Sequence, residues 1–86
     1  MHNFNLYYWK DKQEVDIIMD TRRGLIPIEV KYKSRIDRMD LKGLLKFMEK
    51  FKVKKGIVVT KEMFETQRID GKEILFVPAW LFLLSI

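Results

Sequence analysis

The chain has 86 residues, a length that fits one small domain, and 48% apolar with 34% charged residues is typical of a folded protein. Its formal net charge of +5 permits binding to nucleic acid or another anionic partner. The absence of cysteine excludes disulfides and thiolate metal sites and favours a cytoplasmic location, and no apolar run is long enough to span a membrane.

The first third of the chain predicts three consecutive strands. Aromatic residues at loosely alternating positions predict a first strand over Phe4–Lys10, and the polar letters KDKQ predict the hairpin turn after it. Alternation predicts a second strand over Glu14–Asp20 and a third over Leu25–Lys33, joined by the turn TRRG. Pro27 cannot donate to a ladder, so we expect it near the start of its strand or on a sheet edge.

An amphipathic helix follows the third strand. Asp37 or Asp40 can cap it, because short acidic side chains accept hydrogen bonds from the first amides of a helix. The apolar residues recur at helical spacing and define the buried face: Leu41, Leu44, Leu45, Met48 and Phe51.

The remaining sequence predicts a central strand, a hairpin and a terminal helix. The fully apolar, β-branched segment Gly56–Thr60 is typical of a strand buried in the middle of a sheet. With the strand and helix before it, this segment predicts a crossover connection. Asp70 and Gly71 predict a two-residue hairpin turn, and Pro78 predicts the start of a short helix. The fold class is therefore α/β or α+β, with a mixed central sheet, a β-β-β-α-β core and a C-terminal hairpin and helix.

Three charged residues stand out in otherwise apolar strands. Residues two apart in a strand point to one side, so Glu29 and Lys31 share a face, and the neighbouring strand brings Asp16 to the same face. Two clustered carboxylates repel, and Mg²⁺ or Mn²⁺ relieves that cost. Lys31 would then orient a water nucleophile or stabilise charge on a phosphate. The alternative is an exposed sheet face with a cross-strand ion pair, which contributes about 0–1 kcal/mol.

These residues also carry a family resemblance. The segment EVDIIM followed by IPIEVKYK resembles the D…ExK half of the PD-(D/E)xK nuclease superfamily, which has a restriction-endonuclease-like fold. Nearly the whole chain is similar to the C-terminal domain of a family of predicted archaeal ATPases. The resemblance implies that Asp16 and Glu29 ligate Mg²⁺ and that Lys31 is the catalytic lysine of phosphodiester hydrolysis. It also implies that residues 1–86 are one nuclease-like domain, the C-terminal part of a larger ATPase-type protein.

The sequence departs from this family in two respects. It has no phosphate-cradling GxxxxGK[ST] loop, and the acid supplied by a helix before the first strand has no counterpart. Glu14 lies on the face of Asp16 and is a candidate substitute, although a solvated hairpin position is the commoner role for such a residue.

Two functions therefore stay open. One is a metal-dependent nuclease acting on DNA or RNA, in which Lys33 and Arg35 contact the phosphate backbone. The other is a catalytically weak or inactive module that binds nucleic acid or docks to an ATPase domain. In either case the apolar segment Ala79–Ile86 would cover the sheet or contact an ATPase domain or a second copy.

Overall fold

The computed structural model describes the backbone of residues 4–8 and residues 16–85. The turn predicted from KDKQ and the candidate ligand Glu14 lie outside these residues. Within them the strands and helices are β1 (Phe4–Tyr8), β2 (Ile17–Thr21), β3 (Gly24–Val30), α1 (Lys42–Lys50), β4 (Lys55–Thr60), β5 (Glu65–Ile69), β6 (Lys72–Pro78) and α2 (Ala79–Ser85). No helix of this part of the chain is long and apolar enough to cross a membrane.

The described strands form one mixed sheet. Their order is β1-β2-β3-β4-β6-β5. The β1, β2 and β3 strands pair antiparallel, β4 pairs parallel with both β3 and β6, and β5 closes the other edge antiparallel to β6. The parallel pairing of β3 with β4, with α1 between them in sequence, confirms the predicted crossover. The mixed α+β class and the C-terminal hairpin and helix are also confirmed.

Each face of the sheet is covered by one helix. Val58, Ile74 and Phe76 pack with the buried side chains of α1 on one face, whereas Val59 and Val77 pack with residues of α2 on the other. Successive residues of a strand point to opposite faces, so a strand covered on both sides must be apolar at every position. This explains the apolar run of residues 56–59 in the middle of β4.

The buried face of α1 differs from the predicted one at its C-terminal end. The helix ends at Lys50, so Phe51 lies outside it and is 44% exposed. Phe47 is buried instead, with 5% of its surface exposed. The prediction of Phe51 as a core residue was therefore wrong, because the spacing rule was extended past the last helical turn.

Pro27 lies within β3, which has neighbours on both sides, and not on an edge strand. The β3–β4 pairing begins at Ile28, so Pro27 precedes the parallel ladder while it remains opposite Ile18 of β2. The missing proline amide therefore costs the sheet no β4 bond, which is why proline is tolerated there.

The hairpin between β5 and β6 matches its prediction. Asp70 and Gly71 both have positive φ angles, 52° and 77°. This combination is typical of a type I′ turn, which matches the right-handed twist of the flanking strands. Asp70 and Gly71 thus set the register in which Ile69 lies opposite Lys72.

The described core predicts that truncating two phenylalanines will lower the free energy of unfolding by very different amounts. Phe76 is 1% exposed and Phe64 is 66% exposed. Phe76→Ala should lower the free energy of unfolding by about 3–5 kcal/mol through lost burial and a residual cavity. Phe64→Ala, the matched control, should change it by less than about 0.5 kcal/mol. Chemical denaturation followed by circular dichroism measures both, and equal losses would contradict the described core.

Candidate functional site

Asp16 lies at a bend just before β2, where its carboxylate contacts the end of β3. Its Oδ2 accepts a hydrogen bond from the Val30 amide at 2.8 Å. Its own amide donates to the Ile28 carbonyl at 3.2 Å. Strand amides point sideways within the sheet, so the carboxylate takes the place of a β2 carbonyl at the end of the ladder. The predicted second strand included Asp16, whereas β2 begins at Ile17.

Glu29 projects from β3 towards the face covered by α1. It lies opposite Val58 of β4, a residue of the α1-side core, and its side chain is only 12% exposed. Val30, whose amide binds Asp16, is the next residue along the chain. The structure therefore brings Asp16 to the backbone beside Glu29, across 13 positions of sequence, as the predicted pairing of the two strands requires.

Lys31 lies beside Glu29, just past the end of β3. Its Nζ is 3.7 Å from Glu29 Oε2, and its side chain is 34% exposed. The Lys31 amide donates to the Val59 carbonyl at 2.8 Å, which extends the pairing with β4 beyond the strand. The expected acid and amine on one side of this segment are present, and the amine is open to solvent.

Lys33 pairs with Asp40, an acid that the sequence predicts only as a possible helix cap. Its Nζ lies 2.9 and 3.0 Å from the two carboxylate oxygens of Asp40. Asp37 is the N-cap of a 3₁₀ turn over Arg38–Leu41, and Asp37 and Asp40 form a reciprocal capping box there. The pKa of Asp40 is lowered by hydrogen bonds from the Asp37 amide and from Lys33, with a smaller contribution from the charge of Lys31.

The two predicted phosphate contacts therefore differ. Hydrogen bonding to Asp40 raises the pKa of Lys33 and holds its ammonium against the 3₁₀ turn. Arg35 is exposed and has no hydrogen bond or ion pair with any other residue of the described chain. Arg35 is thus available to a ligand, whereas Lys33 would have to leave Asp40. The sequence gives little indication of the Lys33–Asp40 pair, because residues seven apart across a loop follow no periodic rule.

The two acids of this region carry oxygen donors, the ligand type that a hard divalent cation prefers. Asp16 uses one carboxylate oxygen for the Val30 amide, and the next residue back along β3, Glu29, carries a second carboxylate. Among residues 16–85 no three acidic or histidine side chains are grouped closely enough to hold a metal. Mg²⁺ commonly binds through one or two carboxylates and completes its shell with water and substrate phosphate oxygens. Asp16 and Glu29 match such a site in ligand type and number.

Comparison with known families identifies the family to which the chain belongs. The model of a family described as "Domain of unknown function (DUF4143)" matches residues 1–82. The chain belongs to the DUF4143 family. This is an uncharacterised domain family often found in ATPase-associated proteins. The chain matches none of the curated proteins and none of the solved structures with which it was compared.

The geometry gives the DUF4143 domain a candidate site with two chemical capacities. Asp16 and Glu29 offer anionic oxygens to a cation, and Lys31 offers an ammonium to an anion or a water. The low exposure of Glu29 strengthens its interaction with Lys31 relative to an exposed pair, because fewer waters screen the charges. The site lies at the carboxyl ends of the parallel strands β3 and β4, where open sheets commonly bind ligands.

The Asp40 carboxylate predicts an acid-dependent contribution to stability. Its pKa is lowered from 3.8 in the folded domain, so it stabilises the fold above that value. The contribution is lost as the pH falls through the lowered pKa. Asp40→Asn should therefore have a lower free energy of unfolding than the wild type at pH 7, and the difference should shrink in acid below pH 3.8.

Denaturation at a series of pH values measures this difference, with Glu62→Gln as a control at neutral pH. Glu62 is exposed and makes no hydrogen bond or ion pair within the described residues, so its replacement should leave stability nearly unchanged. A gap between wild type and Asp40→Asn that stays constant from pH 7 into acid would contradict the proposed ionic role.

Proposed function

We propose that this DUF4143 domain is a metal-dependent nuclease of the PD-(D/E)xK type, with a restriction-endonuclease-like core. The observation that supports it is the hydrogen bond from Val30 to Asp16, since it holds one acid beside the Glu29–Lys31 pair at the end of β3. The β-β-β-α-β order of the described chain is compatible with that fold. The substrate class is a nucleic-acid phosphodiester, consistent with the net charge of +5.

In this proposal each side chain has a separate role. Asp16 and Glu29 would hold Mg²⁺ or Mn²⁺, which would supply Lewis-acid chemistry to the phosphate and to a water. Lys31 lies 3.7 Å from Glu29, so its ammonium is oriented by the same carboxylate that binds the cation. From there it positions the attacking water or stabilises charge on the phosphate. The water oxygen bonds to phosphorus and releases a proton to solvent, while the ester bond to the leaving oxygen breaks and that oxygen takes up a proton.

The test is cleavage of DNA and RNA by conservative variants. Asp16→Asn keeps an oxygen that can accept from the Val30 amide, so it removes the charge while preserving the strand connection. Glu29→Gln and Lys31→Met remove the other two charges. A bound metal contributes several kcal/mol, and each 1.36 kcal/mol is tenfold in rate. Each variant should therefore cut plasmid, single-stranded DNA or RNA with Mn²⁺ at least about a hundredfold more slowly.

Matched controls distinguish the site from general effects of charge. Glu62→Gln and Lys61→Met change the same residue types at exposed positions without side-chain partners in the described chain, and should cleave like the wild type. Circular dichroism confirms that each variant is folded. Cleavage that is unchanged in Asp16→Asn and Glu29→Gln would remove these residues from the mechanism.

A second candidate function is a docking module without efficient chemistry. It is favoured by the exposed apolar side chains of α2, since Trp80, Leu83 and Leu84 are 62%, 67% and 79% exposed. Exposed apolar surface of this kind is typical of contacts with another domain or another copy. An ATPase domain is the partner proposed for this role. A folded wild type that cleaves no substrate with either cation would favour this candidate over the nuclease.

A further inference from the structure

A second charged region lies at the other end of the sheet. A groove of about 650 Å³ is formed where the β2–β3 turn, the end of α1 and the start of β4 meet. Four of its lining residues are cations, Arg23, Lys52, Lys54 and Lys55, and none of the described lining residues is acidic. We call this the basic groove. Along β3 its nearest lining residue, Ile26, is three residues and about 10 Å from Glu29, and its farthest, Gly24, is five residues and about 17 Å away.

The four cations of the basic groove form no ion pair with an acid of the described chain, although Lys55 lies opposite Glu73 of β6. Within residues 16–85 none of them forms an ion pair, whereas Lys31, Lys33 and Lys72 each do. Glu49 is the acid that Lys52 and Lys54 influence, and their charges help to lower its pKa. The larger cause of that shift is the hydrogen bond from Lys72, which lies 2.8 Å from Glu49 Oε1. Glu49 is thus already paired, and the groove keeps its positive charge.

Lys52 occupies a backbone position that usually belongs to glycine. The helix α1 ends in a Schellman motif, in which Val53 donates to the Met48 carbonyl at 2.9 Å and Lys52 to Glu49 at 3.4 Å. Lys52 has a φ of 56°, in the left-handed region. A non-glycine residue there costs free energy, and such strain often marks a functional position. The strained residue here is one that adds a cation to the groove.

The floor of the groove is apolar and includes an accessible aromatic ring. Phe51 is 44% exposed, and Leu25, Ile26 and Val53 line the same space. The Phe51 ring centroid is 4.6 Å from that of Phe47, which supports it from the helix. Lys50 Nζ lies 5.4 Å from the Phe51 centroid and brings a fifth cation near the groove. A flat ring among cations suits a partner that has both flat bases and phosphates.

We propose that the basic groove binds single-stranded nucleic acid, with phosphates on Arg23, Lys52, Lys54 and Lys55 and a base against Phe51. A single strand fits better than a duplex, because a duplex buries its base faces and would leave the apolar floor uncovered. An acidic peptide would satisfy the cations but offers no regular series of flat faces for the ring. This binding does not depend on the chemistry proposed at Asp16 and Glu29.

The experiment measures fluorescence anisotropy of a labelled oligothymidylate of about 12 nucleotides, a length within the usual single-strand site size. EDTA is present throughout, so cleavage cannot contribute. The groove variant carries Arg23→Gln, Lys52→Gln, Lys54→Gln and Lys55→Gln. The control variant carries the same change of charge outside the groove: Lys42→Gln, Lys46→Gln, Lys61→Gln and Arg68→Gln.

The wild type and the control variant should bind with similar slopes of log affinity against log salt between about 50 and 200 mM. Each phosphate contact on a single strand contributes about 0.7 to that slope, so the groove variant should lose up to about 2.8. Equal losses in the two variants would show a general effect of net charge and overturn the groove assignment. Asp16→Asn should bind like the wild type, so a failed nuclease test leaves this one intact.

Two single variants test the ring and the strained lysine. Phe51→Leu keeps an apolar side chain but removes the stacking face, and should weaken binding about tenfold. Lys52→Gly relieves the left-handed strain, so it should raise the melting temperature. It also removes one phosphate contact, so its affinity should fall less steeply with salt than that of the wild type.

Competition identifies the class of ligand. Unlabelled oligothymidylate should displace the probe at far lower charge concentration than duplex DNA or polyglutamate. Displacement by polyglutamate at the same charge concentration would make the groove a general polyanion or acidic-peptide site and overturn the proposal. Tighter binding of duplex than of single strand would overturn it as well, and so would unchanged affinity of Phe51→Leu.

Discussion

The hydrogen bond between the Val30 amide and Asp16 Oδ2 connects the ends of two strands and also sets the geometry of the candidate site. At 2.8 Å it is a normal charge-assisted bond, and it substitutes a side-chain oxygen for the backbone carbonyl that a longer β2 would supply. Asp16 therefore has a structural role whether or not the domain has an activity. The nuclease proposal requires that the same carboxylate serve a cation with its remaining capacity, since an ionised carboxylate has about four acceptor positions.

The sheet separates two charged regions along one strand. Asp16, Glu29 and Lys31 gather at the carboxyl end of β3, while the basic groove lies at its amino end. Lys31 and Lys33 near the first region are paired with acids, whereas the four cations that line the groove form no ion pair within the described residues. A nucleic acid of modest length could reach both, since the five residues from Gly24 to Glu29 span about 17 Å, which corresponds to about five phosphates along one strand. Binding and chemistry would then be separable functions of one surface.

The sequence predicts the fold best where local rules act without competition. The hairpin at Asp70 and Gly71 is specified by two residues that tolerate positive φ, and β4 by an apolar run buried on both faces. Boundaries were predicted less well, because they depend on tertiary contacts. The β2 strand starts late because the side chain of Asp16 replaces a backbone partner, and β3 ends at Val30 although Lys31 still bonds to β4.

The candidate site was predictable where it follows from strand periodicity and not where it depends on tertiary contacts. Glu29 and Lys31 share a face through the strand period, so their ion pair follows from spacing. The pairing of Lys33 with Asp40 does not, because it depends on how the loop folds back onto the 3₁₀ turn. Sequence periodicity does not predict the basic groove either. Its cations come from a turn, a helix end and a strand start, and only the fold gathers them.

Binding of Mn²⁺, followed through the paramagnetic broadening of backbone amide resonances, tests the central claim most directly. If Asp16 and Glu29 share a cation, low concentrations of Mn²⁺ should broaden the amides of Asp16 and of Glu29 to Lys31 first. The amide of Gly24, five residues along β3 from Glu29 and about 17 Å away, should be broadened least in that strand. The effect should disappear in the Asp16→Asn and Glu29→Gln double variant. Broadening that is absent at these residues, or that persists in the double variant, would contradict the account.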